Sequence, residues 1–161
     1  MKTYVLFTTV LLNALSTGFF FAWSVSVILG TKRVGDFTYL ESMQSINREI
    51  LNPAFFIVFF GSLITLIINT CLQFNNKLVF WLVLASAIIY LIGTFGVTAL
   101  GNVPLNNELE ALNITKLSLV ELKNFRVYYE SAWNHYQSIR TISSMISFTL
   151  LLISIFIQKT F

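Results

Sequence analysis

Gly101-Asn102-Val103-Pro104-Leu105-Asn106 is the stretch that decides how the chain divides. It follows an uncharged apolar run long enough to cross a membrane. Proline fixes its own φ, lacks an N–H and biases the residue before it away from helix. The stretch therefore predicts that a membrane-crossing helix stops here, with Asn102 and Asn106 near the membrane boundary. Two readings of these amides stay open. They cap a helix end, or they bind a neutral or weakly acidic ligand, since a carboxamide donates and accepts without carrying charge.

Outward from this point the chain reads as four apolar runs. Residues 3–31 carry no charge, nor do the 27 residues between Glu49 and Lys77, the 30 between Lys77 and Glu108, and the 18 between Arg140 and Lys159. About 20 residues of helix cross the hydrocarbon core. Composition agrees: 56% of residues are hydrophobic and 11% charged, with mean hydropathy +0.76, against about 25% charged in soluble domains. The expected fold is all-α: an antiparallel integral membrane four-helix bundle forming one domain, 1–161. The spans are placed at roughly 4–30, 53–73, 78–100 and 134–158. Lys2 and the Ala14-Leu15-Ser16 triplet resemble a signal peptide, but the apolar run continues to Leu29. That exceeds the ~7–15 residues of a signal's apolar region, so a retained first span is expected.

The connections carry the remaining signals. Thr38-Tyr39-Leu40-Glu41 fits a capping box, and Met43, Ile46 and Ile50 form one apolar face. An amphipathic helix is expected at about 39–51, between spans one and two. Asn52 is placed to cap the next helix, with Pro53 at its first position. Ser118-Leu119-Val120-Glu121 is a second capping box, and no glycine or proline follows Pro104. A helix starting near Leu119 is therefore expected to run unbroken into the fourth span. Four spans put the long connections 32–52 and 101–138 on one side of the membrane. The count of lysine and arginine leans toward that side being inside.

Inventory excludes several chemistries. One histidine and one distant cysteine cannot build a zinc or bis-histidine haem site, and no disulfide can form within the chain. No metal site and no cofactor are expected. Asp36 is the only aspartate and nothing orders it beside His135, so no Ser–His–Asp set is argued. No basic run points to nucleic acid. The sequon Asn113-Ile114-Thr115 has meaning only in a secretory compartment. The expected partners are the lipid bilayer and a hydrophobic small molecule, with the oligomeric state open.

Trp133, Gln137, Arg140, Thr141 and Ser144 recur at three- and four-residue steps and share one helix face. An arginine in a span faces the bundle interior or water, or it snorkels to the interface and pairs with a carboxylate such as Glu130. The first reading makes it an anion clamp. Glu130 lies ten residues earlier, about 15 Å along a straight helix. Amides from other blocks, Asn102, Asn106, Gln44 or Asn47, are therefore the expected partners of an inward Arg140.

Four blocks then carry a family resemblance. They are Gly18-Phe19-Phe20-Phe21-Ala22-Trp23-Ser24-Val25-Ser26-Val27; Met43-Gln44-Ser45-Ile46-Asn47-Arg48 with Asn52-Pro53-Ala54-Phe55; Asn102-Val103-Pro104-Leu105-Asn106; and Trp133-Asn134-His135 with Ile139-Arg140-Thr141. In this order they resemble the anthrone oxygenase family of small four-span membrane proteins. Characterised members are fungal enzymes that oxidise a polyketide anthrone to an anthraquinone, whereas most bacterial members have no assigned activity. The resemblance implies a four-span membrane bundle and an oxygenase of this type. It also implies a bacterial inner (cytoplasmic) membrane location.

The residues are compatible with that reaction. An anthrone is a weak carbon acid whose anion reacts with oxygen directly. A site for it needs a base, an oxyanion partner and an apolar pocket for flat rings. Arg140, Asn102 and Asn106 fit the oxyanion role, while Phe20, Trp23 and Trp133 fit the ring wall. Gln44, Asn47 and Asn134, from the same blocks, are candidate substrate contacts. His135 or Glu130 is the candidate base, although His135 also reads as an interfacial histidine without a role, two residues off the Trp133–Arg140 face. Two functions compete: a cofactor-independent oxygenase of a lipophilic phenolic substrate, and a non-enzymatic membrane protein that binds a hydrophobic molecule or partner. A transporter fits poorly, because no inverted repeat is evident. An enzyme requires Asn102, Asn106, Trp133 and Arg140 to converge on one cavity, with Gln44 and Asn47 close by.

Overall fold

The computed structural model describes residues 2–160, with side chains through Ile157. The side chain of Lys159, the charge that bounds the fourth apolar run, lies outside the described residues. In chain order the helices are α1 (Lys2–Thr31), α2 (Asp36–Glu49), α3 (Pro53–Leu72), α4 (Lys77–Glu110) and α5 (Leu119–Thr160). Helices α1, α3, α4 and α5 are long and apolar enough to cross a membrane. Helix α2 is the amphipathic one. α1 packs on α3 and α5, and α4 packs on α5 and α3. The chain is an all-helical membrane bundle.

Local chemistry sets most boundaries. The Asn52 side chain accepts from the Phe55 N–H at 3.0 Å, with Pro53 in the first turn of α3. Ser118 and Glu121 close a reciprocal capping box at the start of α5. Helix α2 departs from expectation: it begins at Asp36, and its N-cap is Gly35 without a side-chain cap bond. Thr38 and Glu41 thus lie inside the helix rather than at its mouth. Asp36 supplies the negative first-turn charge that suits a helix N-terminus.

The larger correction concerns Pro104, which does not end the span. α4 passes through it in helical geometry, with Val103 at φ −63 and ψ −46. Two wide π turns, Tyr90–Gly96 and Thr98–Asn102, precede the proline. The Val103 N–H bonds back to the Thr98 carbonyl, and the Thr98 hydroxyl satisfies the Thr94 carbonyl at 2.7 Å. Wide turns of this kind are local adjustments by which a span tolerates a proline. Asn102 caps nothing with its side chain. Instead Asn102 and Asn106 stand one turn apart on an inward face of a continuing helix.

Hydroxyls and small residues tie the spans together, as membrane packing favours. The Ser86 and Ser147 hydroxyls each donate to the other's carbonyl, at 2.8 and 2.9 Å. Ser16 meets the Tyr90 hydroxyl at 2.8 Å, Thr9 reaches the Thr65 carbonyl, and Ser24 meets Thr141. Asn13 is buried too, whereas Ser26 is exposed. One apolar core, containing Leu66, Val83, Tyr90 and Leu151, lies between the spans. A second, containing Leu40, Met43, Leu109, Tyr129 and Trp133, lies where α2 covers α4 and α5. Helix α5, at 42 residues, is about 63 Å long, twice the ~30 Å hydrocarbon thickness, so its first half carries this outer cap.

At Gly93 α4 and α5 pack tightly, and an added Cβ would overlap the Ser143 side chain. Gly93→Ala is expected to cost about 1–3 kcal/mol and to lower the melting temperature in detergent. Ser143→Gly in the same chain should restore most of it. A single variant that melts like the parent would show that α4 and α5 do not meet there.

Candidate functional site

All five helices contribute side chains to a cavity of about 370 Å³ between the two cores. Phe20 and Trp23 come from α1, Asn47 from α2, Phe55 from α3, Thr98, Asn102 and Asn106 from α4, and Trp133, Gln137 and Arg140 from α5. The volume is within the range of small-molecule sites. Arg48 and Glu110 stand at its mouth and form an exposed ion pair at 2.8 Å.

Arg140 is 6% exposed. One terminal nitrogen donates to the Thr98 hydroxyl at 3.3 Å, and the other makes a short bond to the Gln137 side-chain oxygen. Its Nε has no partner among the described residues. The guanidinium lies 5.1 Å from both the Phe20 and the Trp133 ring centroids. Attraction to two aromatic faces offsets part of the burial of the charge. The ion pairs among the described residues are Arg48–Glu110, Arg126–Asp36 and Arg126–Glu130, so no carboxylate balances Arg140. The expected amide partners from other blocks are therefore corrected. The amide that binds it, Gln137, is on its own helix, three residues back.

Arg126 shows what a satisfied guanidinium looks like in the same fold. It pairs with Asp36 at 3.0 Å and Glu130 at 3.1 Å, and donates to the carbonyls of Val34 and Thr31. The Tyr39 ring lies 4.6 Å beneath it. Burial pushes the Tyr39 hydroxyl well above the usual phenol range, so that ring stays neutral. This cluster clamps the end of α1 and the start of α2 onto α5. It also takes Glu130 out of the cavity, which removes it as a base there.

A second network holds the amides. Asn106 Oδ1 accepts from the Trp133 indole N–H at 2.9 Å and the Tyr129 hydroxyl at 3.0 Å. Asn47 in turn donates to the Tyr129 oxygen at 3.2 Å. Asn102 donates to the Trp133 carbonyl at 3.3 Å, and its own Oδ1 is buried without a partner among the described residues. Trp23 and Trp133 lie 5.6 Å apart at a 43° tilt, forming one aromatic wall.

Of the eleven residues proposed from sequence, the cavity brings together seven: Phe20, Trp23, Asn47, Asn102, Asn106, Trp133 and Arg140. Four stand outside its lining, Glu130 among them. His135 is exposed, because two residues of helix turn it roughly 200° from Trp133. Its ring packs beside Tyr136 instead. Asn134 is half-buried beside it. Gln44 is buried but spent on the carbonyls of Leu109 and Leu112, at 2.8 and 3.1 Å. Sequence reasoning missed Thr98 and Tyr129. Tyr129 lies one turn before Trp133 on the chosen face, so extending that face would have found it.

The fold and site define a class: a four-span membrane bundle enclosing a polar-ended aromatic cavity beside one long connection. The sequence model of the anthrone oxygenase family matches residues 43–150, well over half of the chain. The chain belongs to that family. The block Gly18–Val27 precedes the matched residues, although Phe20 and Trp23 from it line the cavity. Comparison with curated proteins and with solved structures finds no match.

The two arginines are expected to separate in stability. Arg126→Met leaves Asp36 and Glu130 without their cation and should cost about 3 kcal/mol, the low end for buried pairs because Asp36 reaches solvent. Arg140→Leu removes an uncompensated charge and should melt no lower than the parent. Thermal melting of both variants in one detergent checks this. Unfolding of the Arg140 variant would make that residue a structural tie.

Proposed function

We propose that the cavity binds the anion of a flat, lipophilic phenolic compound and that the protein is a cofactor-independent oxygenase of the anthrone type. One observation carries this reading: a buried guanidinium, flanked by aromatic rings and facing a cavity, has no carboxylate to balance it. An uncompensated buried charge is costly unless paired. A phenolate or enolate supplies that pair. Asn102 lines the same cavity, and its carboxamide can turn to accept from a hydroxyl on the same ligand.

The reaction starts from the anion. An anthrone loses a proton from its methylene to give an electron-rich enolate, which Arg140 favours by charge. Molecular oxygen takes electrons from the ring carbon and forms a carbon–oxygen bond. The resulting peroxide loses water, so a CH₂ group and O₂ give C=O and H₂O. Glu110, the carboxylate at the cavity mouth, is the proton acceptor. Preorganised donors at a developing oxyanion are worth about 10²–10³-fold in rate each.

A second reading is binding without turnover. It is favoured by the absence of His135 and Glu130 from the cavity and by the tie of Glu110 to Arg48. Oxygen uptake by the purified protein in nanodiscs, with an anthrone supplied, separates the two. Turnover is expected. Arg140→Lys should then lower kcat by about 10²-fold with unchanged melting, because lysine lacks the planar fork. Tight anthrone binding with no oxygen uptake would establish the binding reading. Wild-type rates in Arg140→Lys would overturn the role given to the guanidinium.

A further inference from the structure

A second cavity of about 320 Å³ adjoins the first. It lies between α1 and α3, at the level of Leu15, Ser16, Ala54, Val58 and Phe59. Phe19, Phe20, Ile50 and Phe55 line both spaces, so the two lie side by side with only these four side chains shared between them. Its walls are almost wholly hydrocarbon and aromatic. The Ser16 hydroxyl is engaged by Tyr90, and the Asn52 side chain by the start of α3. Leu15, Phe19 and Ala54 are exposed on the outside of the bundle, within apolar spans. The space therefore runs from beneath the polar cavity toward lipid.

We infer that the ligand of this protein is a phenol or quinol carrying a single long hydrocarbon tail, with its ring against Arg140 and its tail along the α1–α3 groove. This rests on the reading of Arg140 as an anion clamp and adds the tail. A ring is favoured over a phospholipid headgroup at the upper end, because Phe20 and Trp133 flank the guanidinium with flat aromatic surface and Trp23 extends it beside Trp133. A tail gains little affinity from entering the groove, since lipid is already apolar. What the groove provides is an exit. A bound ring can keep its chain in hydrocarbon without forcing the bundle apart.

The test compares a cresol with its long-chain homologue pentadecylphenol, both measured as bound fraction per mole fraction in nanodisc lipid. The parent should bind both. Ala54→Trp fills the lower cavity from an exposed position and leaves the Arg140 cavity untouched. It should weaken pentadecylphenol at least about ten-fold and leave the cresol unchanged. Equal binding of the two probes by Ala54→Trp, or equal loss of both, overturns the inference. Should Ala54→Trp not fold, pentadecylphenol with a diazirine in mid-tail is photolysed on the parent protein. Crosslinks on Leu15, Ala54 or Val58 support the groove, and crosslinks confined to other segments refute it. Arg140→Leu separates the two claims. If it keeps cresol binding while Ala54→Trp still rejects the tail, the anion reading fails and the groove stands. A parent that binds neither probe, or a phospholipid found in the groove by native mass spectrometry, overturns the tailed phenol.

Discussion

Hydrocarbon offers no partner to a backbone N–H or C=O, so each must be paired within the chain. That constraint produces long helices and makes Pro104 a problem. A proline deep in an α-helix leaves a carbonyl unbonded and drives its ring into the preceding turn. Two π turns before it widen the helix, and the Val103 N–H pairs five residues back with the Thr98 carbonyl. The same widening sets the rotation of the last turns of α4. Asn102 and Asn106 come to face α5, and Gly101 lies under the Tyr136 ring, where a Cβ would sit 2.8 Å from it. The site is thus built on the structural answer to the proline. π turns recur at functional positions in helices for this kind of reason.

The two buried arginines divide the labour of α5. Arg126 closes every local demand with two carboxylates and backbone carbonyls, and so fastens α2 over the bundle. Arg140, about four turns further along, is left with a hydroxyl, an amide and two aromatic faces. Neutral partners orient a guanidinium without cancelling its charge. Around it, the Asn47–Tyr129–Asn106–Trp133 chain of hydrogen bonds fixes the indole that forms the cavity wall. Rigid side chains and a free charge are what an anion site needs, since nothing has to reorganise when the anion forms.

The sequence by itself determined the elements. Charge-free length fixed four spans, and apolar spacing with mixed charge fixed the amphipathic α2. Asn52 with Pro53, and Ser118 with Glu121, fixed two helix starts, because capping is a contact between near neighbours. The face Trp133–Gln137–Arg140 was also legible, since helical spacing is local. The tertiary structure decided everything that depended on a second segment. Whether Pro104 stops a helix depends on which carbonyls its neighbours can satisfy. Which amide meets Arg140 depends on how α4 sits against α5, and that left Gln137 and Thr98 as partners. Gln44 was drawn to the carbonyls of Leu109, at the end of α4, and Leu112, just beyond it, and Glu130 to Arg126, because those partners became near only on folding. His135 was turned outward by the same rotation of α5 that brought Arg140 in. Spacing along one helix says which residues share a face, but only packing against its neighbours says which face is buried.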